Sequence, residues 1–473
     1  MPRSLKIAFL HYHLKPGGVT TVIRRQAEVI RNTCDTLVFC GEAPGKPFPA
    51  ETIPIEGLAY DAPGQKKPNP AGVAGSILEA LRSRWPQGCD ILHVHNPTLA
   101  KNRQLLDILS ILQEKGVRLF LQVHDFAEDG RPHVFSPRPY PAGCHWAVIN
   151  SRDYRALIRS GLRPDGLSLL PNAVTPIPAP ATPISRQGFA LYPVRAIRRK
   201  NTGEAFLLTL LSEKAKPIRI TLPPNSPEDR HSHETWRRFV TTHELRVRLD
   251  TGLHERFAHQ AAGADFFITT SITEGFGFSF LEPWTIGKPL SGRRLPEICS
   301  DFEKKGLVFD SLYDRIRIPL SWIDAARFFE RFKQSVAAAA SAFSHPIPET
   351  KIDDAFWNMT QGAVVDFGLL DEGFQEQILL TVLSDPEKAR FLLASNPDLE
   401  TCIRPNPTRQ VIRSNQDAVI IHYNKDRYRK RLLDAYARVM ETPVSHHVNK
   451  TSLLEDYFDL NAFSLLKWGH DPR

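Results

Sequence analysis

The sequence predicts an α/β protein: two doubly wound units in tandem, followed by a helical extension. Three observations predict it. Short apolar runs of strand length alternate with helical periodicities over residues 5–170. Residues 171–185 (PNAVTPIPAPATPIS) hold five prolines, which no helix or central strand tolerates, so they read as a semi-rigid linker. A second alternation starts at GFALYP (residues 188–193), and beyond about residue 320 strand-like runs give way to helical ones.

Leu5–His11 (LKIAFLH) is the first strand. After the loop at 12–18, Val19, Val22, Ile23, Ala27 and Ile30 fall on one helical face. The intervening turn is Pro16-Gly17-Gly18, not G-x-G-x-x-G, so a dinucleotide fingerprint is absent. Further strands are predicted at 36–40, 90–95, 118–124, 145–150 and 167–170, with helices over 74–85, 97–115 and 152–160. Such alternation implies a parallel sheet that offers its ligand edge at the strand C-termini. In the second unit the strands are predicted at 188–193, 218–222, 265–270 and 307–309. Helices follow at 321–343, 374–383, 386–394, 426–440 and 453–468. The expected domains are therefore 1–183, 184–320 and a helical extension 321–473 whose last helices cross back to the first domain. Two such units are expected to hold a ligand in a cleft between them.

Composition narrows the class. At 473 residues, 42% hydrophobic and 24% charged, the chain suits a globular protein of two or three domains. No run of 18 or more apolar residues argues for a membrane span, and the first residues run straight into a strand without a signal-peptide pattern. Six cysteines are scattered without a C-x-x-C pair and read as reduced thiols of a cytoplasmic protein. A net charge of +8 suits an anionic partner, and peripheral contact with a membrane surface is compatible with it. No lysine-arginine tract is clustered enough to point to nucleic acid. Oligomeric state is not legible.

The chemistry centres on residues 268–282, ITTSITEGFGFSFLE. A buried strand breaks at Glu274-Gly275-Phe276-Gly277, and the apolar run 278–286 reads as the start of a short helix with Ser279 as its N-cap. The two glycines permit a tight turn and close approach of a ligand to the backbone. A helix start below the turn would seat phosphate. Glu274 and Glu282, eight positions apart, would accept hydrogen bonds from hydroxyls on either side of it. That combination suits a nucleotide sugar; the bland reading is a plain strand-to-helix connection in which Glu282 complements the helix dipole. The second basic feature is Val194-Arg195-Ala196-Ile197-Arg198-Arg199-Lys200-Asn201, where Arg195 and Lys200 leave a strand at its C-terminal end and would neutralise a departing diphosphate. Arg198 and Arg199 read as an ordinary solvated patch.

On these residues the chain resembles the retaining glycosyltransferases of the GT-B fold, the family-4-like group known as glycosyl transferases group 1. Its E-x7-E signature is matched by Glu274 and Glu282, its arginine and lysine five positions apart by Arg195 and Lys200, and its N-terminal glycine loop by Gly17-Gly18. Weaker echoes are DILHVHN at 90–96, His124-Asp125, Asn150-Ser151 and Pro171-Asn172-Ala173-Val174, so the likeness spans roughly residues 5–300. The resemblance implies two Rossmann-like domains facing a cleft and transfer of a hexose with retained configuration, with no metal or other cofactor. It implies that Arg195 and Lys200 hold the donor diphosphate, that Glu282 binds the ribose, and that Glu274 contacts the transferred sugar beside Gly275, Phe276 and Gly277. Gly17 and Gly18 would approach phosphates or acceptor, and His124 would sit beside the reacting sugar.

One stretch departs from that pattern. Where the family carries a Gly-Gly turn before Pro-Glu, this chain has Ser291-Gly292-Arg293-Arg294-Leu295-Pro296-Glu297. Arg293 and Arg294 would replace amide contacts to phosphate with charge-assisted bonds of about 1.5–3 kcal/mol each. The same change keeps open a nucleotide-sugar-binding scaffold without turnover; a phosphorylase or epimerase is the alternative among enzymes. His93-x-His95 with His124-Asp125 has the composition of a metal site but fits sugar hydroxyls as well, and no metal is expected. Asp366-Phe367-Gly368 matches a kinase tripeptide without its companion motifs, so the match reads as chance. Trp284 reads as core. Arg131, His133 and Arg138 in the irregular loop 126–140 hint at an anionic acceptor, but the stretch reads first as a plain surface loop.

Overall fold

Every residue of Ile91–His95 and of Leu119–Val123 is buried. Strands buried on both sides require a sheet covered on both faces, as in doubly wound α/β proteins. The computed structural model describes residues 4–469 except 63, 65–67, 183 and 186. Seven strands make the first sheet: β1 (Leu5–His11), β2 (Cys34–Cys40), β3 (Glu51–Pro54), β4 (Ile91–His95), β5 (Leu119–Val123), β6 (His145–Val148) and β7 (Leu167–Leu169). Their order is β3-β2-β1-β4-β5-β6-β7, and all are parallel. A second parallel sheet holds β8 (Ala190–Arg195), β9 (Ile218–Leu222), β10 (Val247–Arg248), β11 (Phe266–Thr269), β12 (Leu290–Arg293) and β13 (Leu312–Tyr313) in the order β10-β9-β8-β11-β12-β13. A short antiparallel pair, β14 (Arg317–Pro319) and β15 (Val364–Asp366), stands apart from both.

Two compact units result: Met1–Ala173 with Tyr423–Phe458, and Val174–His422 with Asp459–Arg473. The helices between 325 and 422 thus belong to the second unit, not to a separate extension. In the first unit, one face of the sheet packs Ile7, Phe9, Val38 and Phe120 against the helix Gly18–Ile30 and against Leu432, Ala435 and Tyr436 of the helix Lys425–Glu441. The opposite face packs Leu10, Phe39 and Leu92 against helices Pro70–Arg84 and Leu105–Glu114, and against Leu453 and Tyr457. Leu432 is fully enclosed, a burial that stabilises by about 1.5–3 kcal/mol.

Several local expectations differ from what forms. No strand forms at 307–309; β12 and β13 extend the sheet instead. Residues 97–104 turn before the helix Leu105–Glu114 starts, so the predicted helix at 97–115 is shorter. The helix expected over 453–468 is two helices, Lys450–Tyr457 and Leu465–Trp468, separated by a turn that Asp459 caps. A helix at Glu349–Met359, whose Phe356 packs on Phe328 and Phe332, was not anticipated.

Candidate active site

Strand order reverses between β8 and β11 in the second unit, and the C-terminal edge at such a point is where open α/β sheets bind ligands. Two sequence-predicted residues meet there. Lys200 lies in the turn after β8, Glu274 in the loop after β11, and Nζ stands 2.5 Å from Oε1. Only 12% and 11% of their side chains are exposed. The backbone of Lys200 is clamped from below: its carbonyl accepts the Tyr192 hydroxyl at 2.7 Å and the Thr270 hydroxyl at 3.0 Å. Asn201, next in the chain, turns in the left-handed region (φ 52°), which asparagine tolerates better than most residues. Burial raises the Glu274 pKa, but Lys200 and then Arg199 outweigh it, so the carboxyl is held below the usual range. Tyr192 and Ser271, which bond each other at 3.1 Å, complete this support. Neither occupies a position the motifs mark.

The other predicted donor residues of this unit lie at the end of β8 and in the chain that follows β11. Arg195 is exposed and donates to the Pro223 carbonyl at 3.2 Å. Glu282 is half-buried at the start of a 3-10 turn, Glu282–Ile286, and its carbonyl accepts Thr285 Oγ1 at 2.6 Å. Gly277 (φ +84°) is required by the backbone, since a Cβ would press into the Phe280 ring. Gly275 is half-exposed in the same loop. Phe276 turns its ring into the core against Phe278 and Phe302, leaving only backbone for a ligand. The expected helix at 278–286 is two 3-10 turns, Phe278–Phe280 and Glu282–Ile286. Ser279 caps nothing; its hydroxyl is enclosed without a partner among the described residues.

Arg293 is not a phosphate ligand. All five of its N–H groups are engaged: two pair with Glu204, two with Asp366, and the fifth with the Asp314 carbonyl. It is 5% exposed, and although burial opposes its charge, Asp366 and Glu204 outweigh that and hold it well above the usual arginine range. Glu204 in turn accepts from Tyr313 and Asn201. Asp366, set aside as a chance tripeptide, is therefore a partner of this buried network. Arg294 pairs with Glu303 and Asp314. Arg198 is no solvated patch either: its fork holds Glu372, with 14% of the side chain exposed. Trp284 is core, donating to the Phe280 carbonyl.

In the first unit the order reverses between β1 and β4. His11 ends β1, His95 ends β4, and His124 follows β5. His95 Nδ1 and His124 Nε2 are 3.0 Å apart with rings tilted only 12°. The backbone N–H of His124 is held by Asn96 Oδ1 at 2.7 Å. His93 instead faces inward to Tyr436 and Gln122. Burial drives His11 and His93 down to about 3 and His124 to about 4, so all are neutral near pH 7. Among the described residues no group of three or more ligating side chains is placed to hold a metal ion. Gly17 and Gly18 are exposed at the start of the helix Gly18–Ile30. Gly17 is extended, a conformation any residue adopts, and a Cβ at Gly18 would meet nothing, so neither glycine is required by packing. Of the acceptor-side candidates, Arg131 pairs with Asp125 and Arg138 with Asp107.

No protein-family model matches the chain. A curated protein of similar sequence is the mannosylglucosyl-3-phosphoglycerate synthase of Petrotoga mobilis, 24% identical over 371 residues that cover 69% of this chain and 72% of that protein. Among solved structures, Anabaena Alr3699/HepE in complex with UDP-glucose is similar at TM-score 0.53 and 14% identity, over 92% of this chain and 99% of that one. Sucrose-phosphate synthase from Thermosynechococcus elongatus gives 0.50 and 14% over 92% and 99%, and a glycosyltransferase from Rickettsia africae gives 0.51 and 10% over 93% and 99%. With its two parallel sheets of seven and six strands, this chain has the GT-B fold that these proteins share.

Proposed function

We propose that the chain is a glycosyltransferase that moves a hexose from a nucleotide sugar to an anionic, phosphorylated acceptor, with retained configuration and without a metal. The observation that carries this reading is the buried Lys200–Glu274 pair at the reversal point of the second sheet. A largely buried ammonium held by a carboxylate is ready to be shared with a diphosphate, whose developing charge it stabilises as the bond to the sugar breaks. Arg195 adds a second cation, Glu282 takes the ribose hydroxyls, and Glu274 takes hydroxyls of the sugar. In the first unit, His124 serves the reacting sugar, and Gly17 and Gly18 leave room for acceptor or phosphate. Catalysis then comes from leaving-group stabilisation and positioning, without a covalent protein nucleophile. The UDP-glucose bound by HepE supports a nucleotide-sugar donor, and the phosphoglycerate in the Petrotoga enzyme's name supports an anionic acceptor, in keeping with a net charge of +8.

A thermal-shift panel of UDP-, GDP- and ADP-sugars tests the donor, since a ligand at 100 times its Kd stabilises by roughly 2.7 kcal/mol. Transfer is then assayed with the stabilising donor and sugar phosphoglycerates, with and without EDTA. Transfer unaffected by EDTA and lost in Lys200→Ala is the expected result. Absence of stabilisation by every nucleotide sugar overturns the reading.

A further inference from the structure

His95 has no place in the reaction outlined above, yet it is the residue that fixes how His124 is presented. We infer that His95 is a positioning residue that donates its Nδ1 proton to His124 Nε2, so that His124 meets substrate with Nδ1–H, as a hydrogen-bond donor and not as a base. This rests on the proposed role of His124.

Two imidazoles joined edge to edge at 3.0 Å share one proton between the facing nitrogens when both are neutral. Burial holds both far below the usual histidine range, so neither is doubly protonated near pH 7. Two arrangements remain. If His124 Nε2 were the donor, His95 would carry its own proton on Nε2. That nitrogen is enclosed and has no partner among the described residues, and an orphaned buried N–H is the rarer and costlier defect. If His95 Nδ1 is the donor, the enclosed Nε2 is a bare lone pair, which costs less. His93 shows the contrast: the strand neighbour stacked on His95 at 4.5 Å has both ring nitrogens paired, to Tyr436 at 2.9 Å and Gln122 at 3.0 Å. His124 has no room to choose otherwise. Its backbone is pinned by Asn96, whose own backbone is left-handed (φ 52°) and whose carbonyl accepts from Tyr12. Its Nε2 is committed to His95, while its Nδ1 has no hydrogen bond to any described residue and is not among the enclosed orphan atoms. The free edge of His124 is therefore an N–H, suited to a sugar hydroxyl or an oxygen gaining charge.

The test uses the full chain with 15N-labelled histidine, the His124 signals being assigned by their loss in His124→Asn. The expected spectrum has His124 protonated at Nδ1 and bare at Nε2. His95→Phe is expected to lower kcat on the order of 10²-fold while the KM for donor stays within a few-fold. His95→Asn, whose amide reaches the position of the Nδ1 donor, is expected to recover most of that loss. A His124 protonated at Nε2, an unchanged kcat in H95F, or an H95N as slow as H95F overturns the inference. Where H95F fails to fold, the wild-type spectrum and H95N still decide. Full activity in His124→Ala would instead overturn the catalytic assignment of His124, and the spectrum would still decide the tautomer.

Discussion

The two sheets reverse their order in the same way, yet what stands at the two reversal points is chemically opposite. In the first unit the edge is furnished with His11, His95 and His124, all kept neutral by burial. In the second it is furnished with ions: Lys200 against Glu274 at the edge, and Arg293 between Glu204 and Asp366 beneath it. Neutral imidazoles exchange hydrogen bonds with hydroxyls and suit an uncharged sugar. Paired ions hold and release charge and suit a diphosphate. One fold repeated twice thus carries two kinds of chemistry, and the side chains at the strand ends decide which.

The largest way to break the comparison is at Arg293. Arg293→Met leaves the buried Glu204 and the half-buried Asp366 without their cation and is expected to destabilise by about 3–5 kcal/mol in chemical denaturation. A variant as stable as the parent would mean that the network is dispensable. Lys200→Ala bears on charge more than on the fold: transfer is expected to fall by about 10²–10³ in kcat, with a smaller loss of stability than in Arg293→Met because Arg199 still acts on Glu274.

Acid sharpens the contrast. His11, His93 and His124 have folded-state pKa values lowered to about 3, 3 and 4, against ~6.5 when unfolded. Stability held by such groups is complete above the unfolded value and is lost as pH falls, by up to about 1.4 kcal/mol per pH unit for each histidine. Asp153 and Glu128 in the same unit are raised, chiefly by burial, and so work the other way, but the lowered imidazoles outnumber them. Glu274, lowered, gives up its contribution only once pH falls below the ordinary carboxylate range, ~4.3. Hydrogen exchange between pH 7 and 4.5 should therefore show the first unit opening before the second; equal opening of both would refute this. The smallest effect is expected from Tyr436→Phe, which deprives His93 of a partner and should cost about 1–3 kcal/mol, confined to the first unit.

The α/β alternation, the strands β1 and β9 and the separate motifs that mark Glu274 and Lys200 were legible because each is written locally; that these two side chains pair across 74 positions was not. Strand runs, helical faces and short motifs lie within a few residues of one another. Arg293 was misread for the opposite reason. Its partners Glu204 and Asp366 lie 89 and 73 positions away, and a basic pair after a glycine carries no sign of them. The clamp of Tyr192 and Thr270 on Lys200, with Ser271 bonded to Tyr192, was invisible for the same cause: parallel strands bring together residues that the chain keeps apart.

By itself the sequence determined that two parallel sheets form and that acids and bases cluster where their strands end, since apolar periodicity and turn chemistry act over a handful of residues. Only the tertiary structure decided which of those ions remain at the edge and which are consumed in the core. It also decided where the late helix Lys425–Glu441 goes: its apolar stripe of Tyr428, Leu432, Ala435 and Tyr436 demands a partner but does not name one. Burial and pairing are properties of neighbours in space, and the neighbours of that helix lie some four hundred residues back along the chain, as the Gln26–Tyr428 hydrogen bond records.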